Sequence, residues 1–126
     1  MSKPIEVLVL DDEPIVCERL QAFLEKKGLS VESYIESEKA LKRLEEKAFD
    51  VIVTDLKMKG PTGMDVLVTV KKNSYKSEVI IITGYGTFET SRQAEFVGAF
   101  DFVAKPFQMS EVYNLVKKAA KKARKS

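Results

Sequence analysis

Four short apolar runs punctuate the chain, at Glu6–Leu10, Asp50–Asp55, Glu78–Thr83 and Phe100–Lys105, and Ser30–Tyr34 reads as a further strand between the first two. In Val7-Leu-Val-Leu10, Val51-Ile-Val53 and Val79-Ile-Ile-Ile82 no polar residue alternates with the apolar ones, as in strands buried on both faces. Between these runs the apolar positions recur at the helical interval. Val16, Leu20, Phe23 and Leu24 form one stripe in a segment that Pro14 opens and Gly28 closes. Ser37 is the expected N-cap of a second helix burying Ala40, Leu41, Leu44 and Ala48. Val66, Leu67 and Val70 mark a third over Met64–Lys72, and Thr87–Gly98 reads as a fourth. A fifth, Met109–Arg124, carries Val112, Leu115, Val116, Ala119 and Ala123.

Strands and helices in strict alternation predict an α/β fold of the doubly wound, flavodoxin-like (βα)5 type: one parallel five-stranded sheet covered on both faces. With strand order 2-1-3-4-5, the switch point falls between the first and third strands, and ligands bind there at the carboxyl ends. A length of 126 residues suits a single domain, residues 1–126.

Composition narrows the chemistry. The chain has no histidine, so histidine general-base catalysis, Ser-His and Cys-His nucleophile pairs and His-ligated zinc are excluded for the chain acting alone. The single Cys17, among Ile15, Val16 and Leu20, is expected to be a small buried hydrophobe. No apolar run is long enough to span a bilayer, and Met-Ser-Lys-Pro leads into a strand without a signal-peptide core. A cytoplasmic protein without membrane contact is expected. The net charge of +2 conceals an asymmetry: Lys117, Lys118, Lys121, Lys122, Arg124 and Lys125 crowd the C-terminus, leaving residues 1–116 net negative. Without interleaved aromatics, this basic end reads as a solvated helix terminus that complements the helix dipole, with no direct nucleic-acid binding.

Four strand ends carry the candidate site: Asp11 and Asp12 after the first strand, Asp55 after the third, Thr83 after the fourth and Lys105 after the fifth. Each residue alone has an ordinary structural role, as N-cap, turn aspartate, β-branched strand residue or surface lysine; their joint placement on one rim does not. Three neighbouring carboxylates repel one another unless a cation lies among them, and an oxygen-only ligand set points to Mg²⁺. Lys105 and Thr83 supply the charge and the hydroxyl needed to hold a tetrahedral oxyanion at Asp55. The set suits phosphoryl transfer to a carboxylate, with Asp55 as a nucleophile that needs no general base.

These residues, in Val7-Leu-Val-Leu-Asp11-Asp12-Glu13, Asp55-Leu-Lys-Met, Ile82-Thr83-Gly84 and Lys105-Pro106-Phe107, resemble the receiver domains of bacterial two-component response regulators along the whole chain. Within that family the stretch Ile82–Phe107 is most similar to receivers of nitrogen-regulator-type transcription activators. The resemblance implies that Asp55 is the phosphoacceptor for a sensor histidine kinase. Asp11, Asp12, Asp55 and the backbone carbonyl of Lys57 would hold Mg²⁺, Thr83 and Lys105 would contact the phosphoryl group, and Phe102 would be the switch aromatic. It implies a cis Lys105–Pro106 peptide and a signalling domain with only self-catalysed transfer and slow autodephosphorylation. The surface of the fourth helix, fifth strand and fifth helix would switch to control an output domain or partner. Helical spacing turns Phe88 and Phe96 away from the sheet among Arg92 and Glu95, so a homodimer or partner interface is expected there. One departure is Lys59 before Gly60 with proline at position 61, which keeps the loop length.

Two other classes share parts of this pattern. A flavin module would need a phosphate-cradling loop where Asp11-Asp12-Glu13 would repel a phosphate, and an aspartyl-phosphate hydrolase would need a second acid that Asp55-Leu-Lys does not offer. A phosphorylation-independent interaction module on the same fold is the alternative.

Overall fold

A computed structural model describes residues 3–56, 58, 60–73, 76–84 and 98–125. Its strands are β1 (Glu6–Leu10), β2 (Ser30–Tyr34), β3 (Val51–Asp55), β4 (Glu78–Thr83) and β5 (Asp101–Ala104), and its helices are α1 (Pro14–Lys26), α2 (Ser37–Glu46), α3 (Gly63–Lys72) and a C-terminal helix, Met109–Ala123. The strands form one sheet in the order β2-β1-β3-β4-β5, every neighbouring pair parallel. The chain therefore has the flavodoxin-like α/β architecture that its alternating elements predict.

The continuous apolar strands are explained by the two layers they serve. Successive side chains point to opposite faces of a strand. Val7, Val9, Val51, Val53, Ile80 and Ile82 pack on one face with Leu20 and Leu24 of α1 and Val112 and Val116 of the C-terminal helix. Leu8, Leu10, Ile52, Val79 and Ile81 pack on the other with Ala40 and Leu44 of α2 and Val66, Leu67 and Val70 of α3. A fully buried Val, Leu or Ile contributes about 1.5–3 kcal/mol, so the central strands β1, β3 and β4 dominate the core. Among the described residues no helix is long and apolar enough to cross a membrane.

Several boundaries differ from the sequence reading. The N-cap of α2 is Glu36, without a side-chain capping bond, and Ser37 is instead buried in the first turn, where a Cβ on Gly60 would meet its Oγ at 3.4 Å. Packing against the loop after β3 thus outweighs capping preference. The same helix stops at Glu46, before Ala48. Asp50 lies just before β3, and its carboxylate accepts from the Glu6 amide at 2.9 Å and pairs with Arg124. The fourth predicted helix lies outside the described residues apart from Gly98.

Two local features fix the rim where β3 ends. Thr62 caps α3 with a capping box, its hydroxyl accepting from the Asp65 amide while Asp65 accepts from the Thr62 amide. Gly63 follows, and a Cβ there would lie 2.4 Å from the carbonyl oxygen of Asp55. Only glycine lets the loop return this closely over the end of β3.

Candidate phosphoacceptor site

The order 2-1-3-4-5 sets the carboxyl ends of β1 and β3 side by side, with Leu10 opposite Thr54 in register, so the residues that follow both strands converge. Asp11 is fully buried and Asp55 nearly so, whereas Asp12 and Glu13 are exposed. One carboxylate oxygen from each of Asp11, Asp12, Glu13 and Asp55 lies within 4.8 Å of the others. Thr83, ending β4, and Lys105, one residue beyond β5, line the same cleft of about 770 Å³ with Asp12, Glu13 and Asp55. The structure therefore brings together Asp11, Asp12, Asp55, Thr83 and Lys105, as their positions at strand ends predict.

Lys105 organises the acids. Its Nζ lies 3.0 Å from Asp11 Oδ2, 3.0 Å from Glu13 Oε1 and 3.0 Å from Asp55 Oδ2. Burial disfavours its charge, but the contacts with Asp11, Glu13 and Asp55 outweigh burial and hold the ammonium well above the ordinary lysine range. Asp11 shows the converse balance. Burial raises its pKa, opposed by the Glu13 amide, which donates to Asp11 Oδ1 at 2.9 Å, and by Lys105, while Asp55 adds repulsion. Lys105 approaches Asp11 Oδ2 outside hydrogen-bonding geometry, so this buried oxygen has an ionic neighbour but no hydrogen-bond partner among the described residues.

That oxygen is a direct test of whether a cation fits. A buried carboxylate oxygen without a donor is costly unless it coordinates something, and here it faces three further carboxylates. An all-oxygen, multiply charged donor set suits Mg²⁺, so the residues fit such an ion. Lys57, whose carbonyl was expected to join this shell, lies outside the described residues, as do Phe88 and Phe96.

Cys17 is the small buried residue that its sequence neighbours predict. Its Sγ donates to the backbone carbonyls of Asp11 at 3.3 Å and Tyr34 at 3.4 Å, and burial pushes the thiol to about 11. Phe102 is half-buried on β5, packed on the α2/α3 side of the sheet, while its neighbour Val103 faces α1 and the C-terminal helix. The Lys105–Pro106 peptide is cis.

Sequence reasoning missed two features. Glu13 was read only as part of an acidic run, yet it is bonded to Lys105; its position directly before the helix-opening Pro14 is the signal that puts it on the rim. The second is an apolar lip on the cleft, formed by Ile15, Val16, Phe107 and Met109, with Ile15 half exposed.

Comparison with known proteins agrees with this geometry. Residues 7–117 match the family model of the response regulator receiver domain. A putative NtrX-like response regulator of Rickettsia bellii is 35% identical over 117 residues, covering 91% of this chain and 24% of that protein. The response regulator protein PilR of Pseudomonas aeruginosa is 32% identical over 111 residues, covering 88% of this chain and 25% of that protein. Among solved structures, the beryllofluoride-activated NtrC4 receiver domain dimer superposes with a TM-score of 0.87 at 35% identity, covering 94% of this chain and 98% of that one. The chain belongs to the response regulator receiver domain family of two-component signalling. It spans about a quarter of the length of the curated relatives it matches.

Proposed function

We propose that residues 1–126 form one receiver domain in which Asp55 accepts a phosphoryl group from the phosphohistidine of a sensor histidine kinase, in a Mg²⁺-dependent reaction in the cytoplasm. The observation that carries this reading is the placement of Asp55: a nearly buried carboxylate at a strand end, 3.0 Å from Lys105 Nζ, in one cleft with Thr83 and amid three other carboxylates. Asp11, Asp12 and Asp55 would hold the ion, with the Lys57 carbonyl completing the protein's share. When bound, Mg²⁺ supplies charge neutralisation for the transferred group. Asp55 attacks as an ionised oxygen, while Lys105 and the Thr83 hydroxyl bind the phosphoryl oxygens. The apolar lip of Ile15, Val16, Phe107 and Met109 beside the acids suits a partner that presents its reactive group beside an apolar surface.

The output follows from population shift. A phosphoryl group must interact better with a state in which Thr83 has moved toward Asp55 and Phe102 has turned inward than with the resting state. The surface of the predicted fourth helix, β5 and the C-terminal helix would change with it, and Phe88 and Phe96 would form a homodimer or partner contact there. The NtrC4 receiver domain was solved as a dimer, which supports self-association of this domain by analogy. The domain is a phosphoacceptor rather than an enzyme acting on other molecules, and it makes no direct contact with nucleic acid.

Incubation with Mg²⁺ and acetyl phosphate is expected to add one phosphoryl group to the wild type and none to Asp55→Asn, as read by intact-mass spectrometry. Equal labelling of the two proteins would reject Asp55. An unlabelled wild type would favour a phosphorylation-independent module.

A further inference from the structure

We propose that Ser37 is a positioning residue for the metal site: from the start of α2 it braces the loop between β3 and α3, and so sets how tightly the acidic rim holds Mg²⁺. This rests on the reading of that rim as a Mg²⁺ site whose shell the loop after Asp55 completes. The loop, residues 56–62, is tied down at both ends. The Leu56 amide donates to the Ile82 carbonyl at 2.9 Å, and the Gly63 amide donates back to the Leu56 carbonyl at 3.0 Å, so the loop closes beside Asp55. Thr62 is held by the capping box of α3, and Met58 packs on the core that α2 and α3 share. At Gly60, the crown of the loop is met by another element.

That element is α2, through a serine that its own helix does not explain. Ser37 is only 2% exposed, and the N-cap of α2 is Glu36, without a side-chain capping bond. A buried hydroxyl is costly unless it is hydrogen-bonded, and serine is a poorer helix former than alanine. Its Oγ stands where a side chain at position 60 would project, 3.4 Å from a Cβ built there, and Gly60 has a left-handed φ of +85°. The hydroxyl therefore meets the main chain of the loop, and it serves the loop rather than the helix. The other side of the loop rests on the site itself, since a Cβ on Gly63 would lie 2.4 Å from the Asp55 carbonyl oxygen. A loop held between Ser37 and Asp55 passes any loosening at its crown to the residues around the ion. Mg²⁺ demands near-octahedral geometry, so small displacements of its oxygen ligands cost affinity. Groups that only orient the ligands of a metal control its binding in the same way. Ser37 touches neither the ion nor the phosphoryl group.

The test titrates the full, unphosphorylated chain with Mg²⁺ alone, following the backbone amide shifts of Asp12 and Asp55 by NMR. Ser37→Ala is expected to raise the Mg²⁺ Kd about three- to tenfold, the range for loss of one buried hydrogen bond. Ser37→Cys fills the same space with a weaker donor and is expected to weaken binding by a smaller factor; it decides the matter if Ser37→Ala does not fold. Ala40→Gly loosens α2 without touching the loop, and is expected to lower the denaturation midpoint while leaving the Mg²⁺ Kd unchanged. With acetyl phosphate, Ser37→Ala is expected to need correspondingly more Mg²⁺ for half-maximal labelling and to reach the wild-type rate at saturation. Wild-type Mg²⁺ affinity in the folded Ser37 variants overturns the role of Ser37 alone. An equal loss of affinity in Ala40→Gly also overturns it, because any weakening of α2 would then suffice, and so does a labelling defect that persists at saturating Mg²⁺. A wild type whose Asp12 and Asp55 amides do not respond to Mg²⁺ overturns the metal reading and this proposal together.

Discussion

Thr83 stands opposite Ala104 in the β4–β5 register, and its carbonyl accepts from the Lys105 amide at 2.9 Å. The hydroxyl proposed to sense the phosphoryl group and the lysine proposed to bind it are therefore tied through one backbone hydrogen bond. Phe102 lies on the same strand opposite Ile81. A charged acceptor on Asp55 would draw the Thr83 hydroxyl inward and carry the β4 terminus with it. Thr83→Ala is accordingly expected to accept phosphate at Asp55 yet lose the chemical-shift response of Phe102. Wild-type Phe102 shifts in phosphorylated Thr83→Ala, measured by NMR, would show that the signal leaves by another route. At this scale, Asp11, Asp12, Asp55, Thr83 and Lys105 were all legible in the sequence, because each lies at or just beyond the end of an apolar run. Glu13 was not, since its bond to Lys105 spans 92 positions and depends on which way an exposed side chain turns.

The edge strand β2 and the helix after it show how single elements are fastened. Arg43 of α2 forks onto Glu32 of β2, Nε to Oε1 at 2.8 Å and Nη2 to Oε2 at 2.9 Å, and the Tyr34 hydroxyl donates to the same Oε1 at 2.8 Å. The Arg43 hydrogen bonds lower the Glu32 pKa against the opposing effect of burial. A depressed carboxylate pKa stabilises the fold above the unfolded value of about 4.3, and that stability is lost as pH falls through the folded value. Glu32→Gln is therefore expected to cost about 0.5–1 kcal/mol at neutral pH, the range for a partly exposed pair, and progressively less in acid. Urea unfolding at neutral pH and below about pH 4 reads this out, and an equal cost at both would contradict it. Hydrophobic spacing located both elements, but the pairing of Arg43 with Glu32 follows from the β2–α2 turn, which spacing does not describe.

Across the molecule, Arg124 joins the two ends of the described chain. Its guanidinium donates to Asp50 Oδ1 at 3.1 Å and Oδ2 at 2.9 Å, and to the carbonyls of Lys3 at 2.9 Å and Pro4 at 2.7 Å. Asp50 in turn accepts from the Glu6 amide, so one arginine ties the C-terminal helix to the start of β1 and the segment before β3. Arg124→Ala is expected to lower stability by about 1–2 kcal/mol, as loss of charge-assisted hydrogen bonds does, while leaving Asp55 labelling unchanged because the clamp is at the amino ends of β1 and β3, opposite the rim that holds Asp55. Chemical denaturation and intact-mass labelling measure the two arms, and an unchanged denaturation midpoint would show that the clamp is idle. The sequence presented Arg124 as one cation of a solvated basic end; only folding brings it to Asp50, 74 positions away.

The sequence by itself determined the layered α/β architecture, because continuous apolar strands and helical stripes can be buried in few ways, and parallel crossovers have one hand. It also determined which residues reach the candidate site's rim, since the carboxyl ends of parallel strands lie on one side of the sheet. The tertiary structure decided how those residues share charge. Asp11 Oδ2 is left without a hydrogen-bond donor, Lys105 lies among three acids and donates to two of them, and Ser37 gives up capping to pack against the β3–α3 loop. Periodicity records which side of an element faces inward. Hydrogen-bond partners, desolvation and rotamer choice depend on atoms brought together from distant parts of the chain, and these are fixed only when the layers close.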